Sequence, residues 1–213
     1  LGHLPSALAK SNMSGPRPVQ AIKPATASHD LKAVVPFTFV ALGDMPYNGE
    51  DDQHRFEALI DQVNQLAPSF VVHVGDIKSG RSVCSDAAFE SVAQTFRRFS
   101  VPLVYTPGDN EWTVCHSQSA GRYDPVERLN KLRQLFWFDH NPYEKALPVV
   151  RQTGPTPQTS YPENVRWQQH GVTFVAINVP GSNNNRQAGL DGVLTPNQEY
   201  LQRNQADIAW LHQ

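Results

Sequence analysis

Three short apolar runs in this chain each end in the dipeptide Gly-Asp. The aspartates are Asp44, Asp76 and Asp109, separated by 32 and 33 residues, which is about the length of one strand–helix–strand unit. Because the carboxyl ends of parallel strands meet at the ligand-binding edge of an open α/β sheet, we expect these carboxylates to lie close together. Acids that converge repel each other unless a cation lies among them. The spacing therefore predicts a metal site.

Composition limits the class of protein. The chain has 213 residues, of which 39% are hydrophobic, and this predicts one α/β domain with a sizeable core. The formal net charge of -2 gives no strong nucleic-acid signal. No apolar run approaches the roughly 18 residues that a membrane span needs. The composition does not set the oligomeric state.

The pattern along the chain divides it into a leader and a domain. Residues 1–35 show little apolar periodicity, and we expect a disordered leader because such a segment buries too little surface. The domain is predicted over 36–213. Apolar residues at helical spacing predict helices over 52–67 and 86–99, and Asp124 followed by proline predicts the start of a third helix.

The second half of the domain has a different pattern. A long loop is predicted over 139–160 because the segment is rich in proline, threonine and glutamine. The remaining predictions are two strands over 162–169 and 172–178 joined by a hairpin turn at 170–171, a polar loop over 180–185, and a last helix from Thr195 to the end of the chain.

The third Gly-Asp unit carries a more specific pattern, Gly108-Asp-Asn-Glu111. Together the three units resemble the calcineurin-like metallophosphoesterase superfamily, which includes the purple acid phosphatases. That family has Asp-x-His, Gly-Asp and Gly-Asn-His-Glu after successive strands, and the order and spacing agree over 37–112. The resemblance implies an α/β fold, a two-sheet sandwich flanked by helices in four layers (αββα). It also implies a hydrolase of phosphate esters with two metal ions.

The resemblance also implies which residues bind the metals. Asp44 matches the ligand of the first ion, Asp76 matches the carboxylate that bridges two ions, and Asp109 stands where the family has an asparagine ligand. Pro46 replaces the histidine of the first motif and cannot ligate, so Tyr47 is a candidate substitute ligand, with a simple packing role as the alternative. The implied cofactors are two divalent or trivalent ions, drawn from Fe, Mn, Zn and Mg.

Three residues are candidates for catalysis. Asn110 replaces the family's leaving-group histidine, and it can donate a hydrogen bond but cannot supply a proton. Lys78 can pair with the acids or hold a phosphate oxygen, with a solvated loop lysine as the alternative. His116 follows the third motif closely enough to reach the site. Glu111 matches a family residue that is expected to support the loop rather than bind metal.

The other histidines do not complete the family pattern. His73 lies inside the second apolar strand and is predicted to be a core histidine rather than a ligand. The family's later histidine motifs are absent, and the sequence stops within a helix that precedes them in the family. We therefore expect that the C-terminal part of the domain is missing, so the domain is predicted to be incomplete.

Cys84 and Cys115 are the only cysteines. They follow the second and third strands on neighbouring loops, so a disulfide is predicted, with two free thiols as the alternative. A disulfide favours an oxidising compartment. We therefore expect a periplasmic or secreted protein, with a cytoplasmic one as the alternative.

These features favour metal-dependent hydrolysis of a small phosphorylated substrate by a metal-activated water. Two alternatives remain open at this stage. One is a degenerate member that binds a phosphorylated or polyanionic ligand without turnover, as the residues at Pro46 and Asn110 suggest. The other is a different doubly wound hydrolase with one Mg²⁺ ion.

Overall fold

A computed structural model of the chain describes residues 36–47, 49–137, 143–156, 159–186 and 195–213, without the side chains of 195–197. The predicted leader, residues 1–35, lies outside these ranges.

The described elements alternate strands and helices in the first part and form an antiparallel sheet in the second. The strands are β1 (Val40–Leu42), β2 (Val71–His73), β3 (Leu103–Tyr105), β4 (Val150–Gln152), β5 (Tyr161–Gln169) and β6 (Val172–Ala176). The helices are α1 (Gly49–Leu66), α2 (Asp86–Phe96), the 3-10 helix η1 (Thr113–His116), α3 (Pro125–Phe136), α4 (Gly181–Asn184) and α5 (Thr195–Leu211).

The first sheet is parallel, as the repeated strand–helix pattern predicts, with the order β1-β2-β3. Val40 pairs with Val71, and Val71 pairs with Leu103, so the three strands end at the same level. Because side chains alternate between the two faces of a strand, Val71, Leu103 and Tyr105 pack against the helices. Phe70 and Val104 belong to a second core cluster.

The helices that follow β1, β2 and β3 cover one face of this sheet. Phe56, Ile60 and Val63 of α1 are buried in the same core cluster as residues of α2 and α3. The predicted cap of α3 is present: the Asp124 carboxylate accepts the backbone N–H of Glu127 at 2.8 Å. The cap predicted at Thr195 lies outside the described side chains. Helix α1 begins three residues earlier than predicted, at Gly49. None of the helices within the described ranges is long and apolar enough to cross a lipid bilayer.

The second sheet is antiparallel, with the order β4-β5-β6. The prediction of an unbroken loop over 139–160 is wrong, because β4 lies within it. This strand has three residues and an irregular register between Arg151 and Gln152, so it shows no alternating pattern. The hairpin between β5 and β6 is as predicted, with His170 and Gly171 both at positive φ.

The two sheets share an apolar core. Phe70 and Val104 of the first sheet region cluster with Val165 and Trp167 of β5, and the rings of Phe70 and Trp167 meet edge to face at 5.3 Å. Asn164, which directly precedes Val165 in β5, instead donates to the Asp207 carboxylate of α5 at 2.6 Å. The chain is thus a mixed α/β protein with two small sheets and flanking helices, as predicted.

The predicted disulfide between Cys84 and Cys115 is formed, with the two Cα atoms 5.8 Å apart. It connects the segment after β2 to η1, which follows β3. Both sulfur atoms lie against the backbone carbonyl oxygen of Asn110, at 3.7 and 3.8 Å. The disulfide therefore supports the turn that carries the third Gly-Asp unit.

His73 is a core residue, as predicted. Its side chain is fully buried, and its Nε2 donates to the backbone carbonyl of Met45 at 3.0 Å. Its Nδ1 accepts the N–H of Gly75 at 3.2 Å. Burial lowers the pKa of His73 to about 4, so the ring is neutral at pH 7 and links the segment after β1 to the turn after β2.

We expect the stability conferred by His73 to depend on pH. The ordinary pKa of histidine is about 6.5, so the unfolded chain takes up a proton here before the folded protein does, and stability falls as the pH drops from 6.5 toward 4. A His73→Gln variant cannot titrate at this position. Its deficit in the free energy of unfolding should shrink by up to about 3 kcal/mol between pH 7 and pH 4. Urea unfolding followed by tryptophan fluorescence measures this, and a deficit that stays constant with pH would contradict it.

Removing the disulfide should destabilise the protein without unfolding it. The bridge closes a loop with a sequence separation of 31 residues, and the chain-entropy model assigns such a loop about 3–4 kcal/mol. Urea unfolding of the Cys84→Ser/Cys115→Ser double variant should show this loss. Wild-type protein measured under a strong reductant is the matched control and should lose a similar amount. Equal stability of the oxidised wild type and the double variant would show that the bridge adds nothing.

Candidate metal centre and active site

The three Gly-Asp turns lie side by side at the carboxyl edge of the first sheet. The N–H of Asp44 donates to the carbonyl of Gly75 at 3.0 Å. Gly75, at φ 90°, approaches Gly108 so closely that a Cβ would stand 2.0 Å from the Gly108 nitrogen. A Cβ on Gly108 would stand 2.1 Å from Oδ1 of Asp76. Any side chain at either glycine would push the turns apart.

Two of the aspartates have an unusual backbone. Asp44 and Asp76 have φ values of 60° and 56°, in the left-handed region that few residues other than glycine adopt. Such conformations cost free energy and cluster at functional sites. Two of them at neighbouring strand ends, both on acids, point to selection for a site rather than for stability.

The Glu111 side chain connects the second and third turns through hydrogen bonds. Its buried carboxylate accepts the N–H of Gly108 at 2.8 Å, the N–H of Asp76 at 3.1 Å and the hydroxyl of Tyr105 at 2.8 Å. Burial raises the pKa of Glu111 to about 7, and the hydrogen bonds from Gly108 and Tyr105 oppose that rise. Glu111 therefore supports the loop, as predicted, because its carboxylate accepts hydrogen bonds from three groups of the protein.

Asp76 lies at the centre of the acid cluster formed by Asp44, Asp76 and Asp109. Its Oδ1 accepts the N–H of Asn110 at 3.2 Å. Burial raises the pKa of Asp76, and the charges of Asp109 and Asp44 raise it further. Asp76 thus lies close enough to both Asp44 and Asp109 for their charges to act on it, as the spacing predicts.

Tyr47 also belongs to this edge of the sheet. Its hydroxyl donates to Oδ1 of Asp44 at 2.6 Å. Burial and this hydrogen bond both raise the pKa of Tyr47, so the side chain is a neutral phenol in this arrangement. It contacts the acid cluster through Asp44.

Lys78 is buried, so the alternative of a solvated loop lysine is wrong. Its ammonium donates to the backbone carbonyls of Ser79 and Asn110, at 2.8 and 2.6 Å. Burial lowers the pKa of Lys78 to about 8, while the charges of Glu111, Asp76 and Asp109 act in the opposite direction. Lys78 holds the third turn and places a positive charge near the acids.

The side chains of the other two catalytic candidates make their described contacts outside the acid cluster. The Asn110 side chain packs against Gly80, where a Cβ would stand 2.8 Å from its Oδ1. His116 lies on η1, and its Nδ1 bonds to the carbonyl of Thr113 at 2.7 Å. Within the part of the chain that the structure describes, neither side chain makes a hydrogen bond to the three aspartates.

One residue of the site was missed by the sequence analysis. The hydroxyl of Ser182, in α4, donates to Oδ2 of Asp109. The preceding Gly181 lies against the same carboxylate, since a Cβ there would stand 2.9 Å from Oδ2. The available signal was the run Gly-Ser-Asn-Asn-Asn, whose residues favour tight turns, but nothing in it indicates a contact 73 residues away.

The donors of the acid cluster suit a hard cation. Carboxylate oxygens are the ligands that Mg²⁺ and Mn²⁺ prefer, whereas imidazole and thiolate favour zinc. Among the described residues, no three His, Cys, Asp or Glu side chains are already arranged as a metal-binding group. The chemistry of the cluster thus fits a divalent ion, and the carboxylates would have to turn toward a common point to bind it.

Comparison with known proteins identifies the family. A family model described as calcineurin-like phosphoesterase matches residues 37–208. No curated protein and no solved structure matches the chain. The match covers both sheets, the acid cluster and most of α5, and members of this family are typically phosphoesterases that use divalent metals. The chain belongs to the calcineurin-like phosphoesterase family.

Proposed function

We propose that the protein is a metal-dependent hydrolase of small phosphate esters. The observation that carries this proposal is the meeting of Asp44, Asp76 and Asp109 at the end of three adjacent strands, where the pKa of Asp76 is raised by burial and by its two acidic neighbours. A cation would relieve that repulsion. Family membership supports phosphate esters as the class of substrate.

In this proposal the acid cluster holds the metal. Asp76 is the central ligand, Asp44 and Asp109 bind from either side, and Tyr47 acts on Asp44 through its hydroxyl. A bound divalent ion would supply an activated water and offset the charge of the phosphate. The pair of ions that the family resemblance implies remains part of the proposal, and the all-oxygen donor set favours Mg²⁺ or Mn²⁺ over Zn or Fe.

The surrounding residues hold the acids in place. Glu111 accepts the backbone N–H groups of Gly108 and Asp76, and Lys78 holds the carbonyl of Asn110. These contacts support a positioning role for Lys78. Direct roles for Lys78, Asn110 and His116 in phosphate binding or leaving-group departure remain predictions from the sequence.

We also propose that the complete domain has the four-layer αββα order. Two observations support it: helices α1 to α3 pack on one face of the parallel sheet, and α5 contacts β5 through Asn164 and Asp207. The disulfide supports a periplasmic or secreted location, because such bonds persist mainly in oxidising compartments.

The second candidate function is binding of a phosphorylated or polyanionic ligand without hydrolysis. It is favoured by Asn110 and Pro46, which stand where the family resemblance places histidines. The family match disfavours the third alternative, an unrelated doubly wound hydrolase.

Asp76→Asn should weaken metal binding most strongly among the single aspartate variants, because Asp76 lies between the other two carboxylates. The amide keeps the size of the side chain but removes a charge. The full chain with its disulfide intact is titrated with Mn²⁺, the free ion is followed by electron paramagnetic resonance, and hydrolysis of an aryl phosphate is assayed in parallel. Asp61→Asn, the same change at an exposed residue of α1, is the matched control and should bind Mn²⁺ as the wild type does.

The outcomes separate the two candidate functions. Mn²⁺ binding with turnover, both reduced in Asp76→Asn, supports the phosphoesterase. If the protein binds Mn²⁺ and also binds the aryl phosphate but does not hydrolyse it, the result supports the binding protein. Unchanged Mn²⁺ affinity in Asp76→Asn would remove this aspartate from the metal site.

A further inference from the structure

Ser182 makes a contact that connects the two halves of the domain. It lies in the short turn α4 after β6, in the region of the second sheet, and its hydroxyl donates to Oδ2 of Asp109 at the carboxyl edge of the first sheet. The residue is otherwise exposed. Among the described residues, Asp109 is the member of the acid cluster to which this segment donates a hydroxyl.

The backbone of this turn is unusual. Ser182, Asn183, Asn184 and Asn185 all have positive φ, between 49° and 60°. Single residues other than glycine visit this region, but a run of four is costly for L-residues. The hydrogen bonds from the Asn185 and Arg186 N–H groups to the carbonyls of Ser182 and Asn183, both 3.2 Å, close the turn.

A buried arginine holds the turn in position. Arg203 of α5 is fully buried and donates to the side-chain oxygen of Asn184 at 2.7 Å and to its backbone carbonyl at 3.1 Å. Its guanidinium stands 5.2 Å from the ring centroid of Trp112, which follows Glu111 in the chain. The turn cannot move away from Asp109 without breaking contacts of a buried charge.

The turn also packs directly on the carboxylate of Asp109. A Cβ on Gly181 would stand 2.9 to 3.1 Å from its three carboxylate atoms. Asp109 is thus fixed on one side by the Gly181 backbone and on another by the Ser182 hydroxyl. Ser182 is exposed, so water competes for its hydrogen bond to the Asp109 carboxylate, and this bond does not offset the cost of four left-handed residues. Fold stability therefore does not account for this strained arrangement.

We propose that Ser182 is a positioning residue that orients Asp109 for metal binding. The proposal rests on the metal-binding function proposed above. Ser182 does not touch the ion or the substrate in this scheme; its hydroxyl occupies one oxygen of Asp109 so that the other oxygen faces Asp76. Hydrogen-bonded partners of metal ligands commonly change metal affinity by 10–100-fold when they are removed.

The test separates the hydroxyl from the backbone. Ser182→Gly removes the hydroxyl, and glycine is the residue best suited to the φ of 49° at this position. The melting temperature of this variant should therefore be unchanged or raised. Its Mn²⁺ affinity should fall 10–100-fold. Ser182→Thr keeps the hydroxyl but puts a β-branched residue in the left-handed region. It should melt at a lower temperature and bind Mn²⁺ nearly as the wild type does.

Asn183→Gly is the matched control. It relieves the same backbone conformation at the next position, φ 57°, and leaves the Ser182 hydroxyl in place. Mn²⁺ affinity of this variant should equal that of the wild type. All measurements use the full chain with its disulfide intact, by electron paramagnetic resonance of free Mn²⁺ and by thermal unfolding without metal.

Two results would overturn the proposal for Ser182 and leave the proposed function intact. One is equal Mn²⁺ affinity in Ser182→Gly and the wild type. The other is the same loss of affinity in Asn183→Gly as in Ser182→Gly, since the effect would then come from the backbone of the turn and not from the hydroxyl. Failure of the wild type to bind Mn²⁺ is a different outcome, which overturns the proposed function and this inference together.

Discussion

The close contact between Gly75 and Gly108 is the constraint on which the rest of the site depends. With no side chain on either residue, the turns after β2 and β3 touch through their backbones, and a single buried carboxylate, Glu111, accepts N–H groups from both turns. The parallel register brings the strands to the same level, but only this contact brings Asp76 and Asp109 within reach of one another. A larger residue at either glycine would still allow the sheet to form, but it would separate Asp76 from Asp109.

The buried titratable groups behind the cluster have opposite effects on stability. His73, with its lowered pKa, stabilises the folded protein most above pH 6.5 and loses that effect as the pH falls toward 4. Glu111, with a pKa raised to about 7, favours folding most when it is protonated, and that contribution is lost as the pH rises from about 4.5 through 7. Because the two groups titrate in opposite directions over the same range, their contributions partly cancel. The net effect of this pair on the pH dependence of stability is therefore smaller than that of either group alone.

Much of this arrangement could be predicted from local patterns. Each Gly-Asp pair ends an apolar strand, and α3 begins at a clear cap, Asp124. The two cysteines lie on adjacent loops, so in each case neighbouring residues carry the information. What could not be predicted depends on distant contacts. The short strand β4 gives no alternating pattern and is defined by its pairing with β5. The burial of Lys78 follows from the position of the Asn110 carbonyl, 32 residues later in the chain.

The residue types of the segment Gly181–Asn185 are explained by contacts at the acid cluster, and the fold alone does not explain them. A polar run after a strand predicts only a loop, yet each position here has a specific requirement. Residue 181 has no room for a Cβ because the Asp109 carboxylate lies there. Residue 182 supplies a hydroxyl to that carboxylate, and residues 182 to 185 must accept a left-handed backbone, which asparagine tolerates better than most residues do. Arg203 is buried; its guanidinium pairs with the Glu199 carboxylate and donates a hydrogen bond to the Asn184 side chain. The second sheet and α5 therefore do more than complete the core, because they hold in place the turn that fixes the third carboxylate.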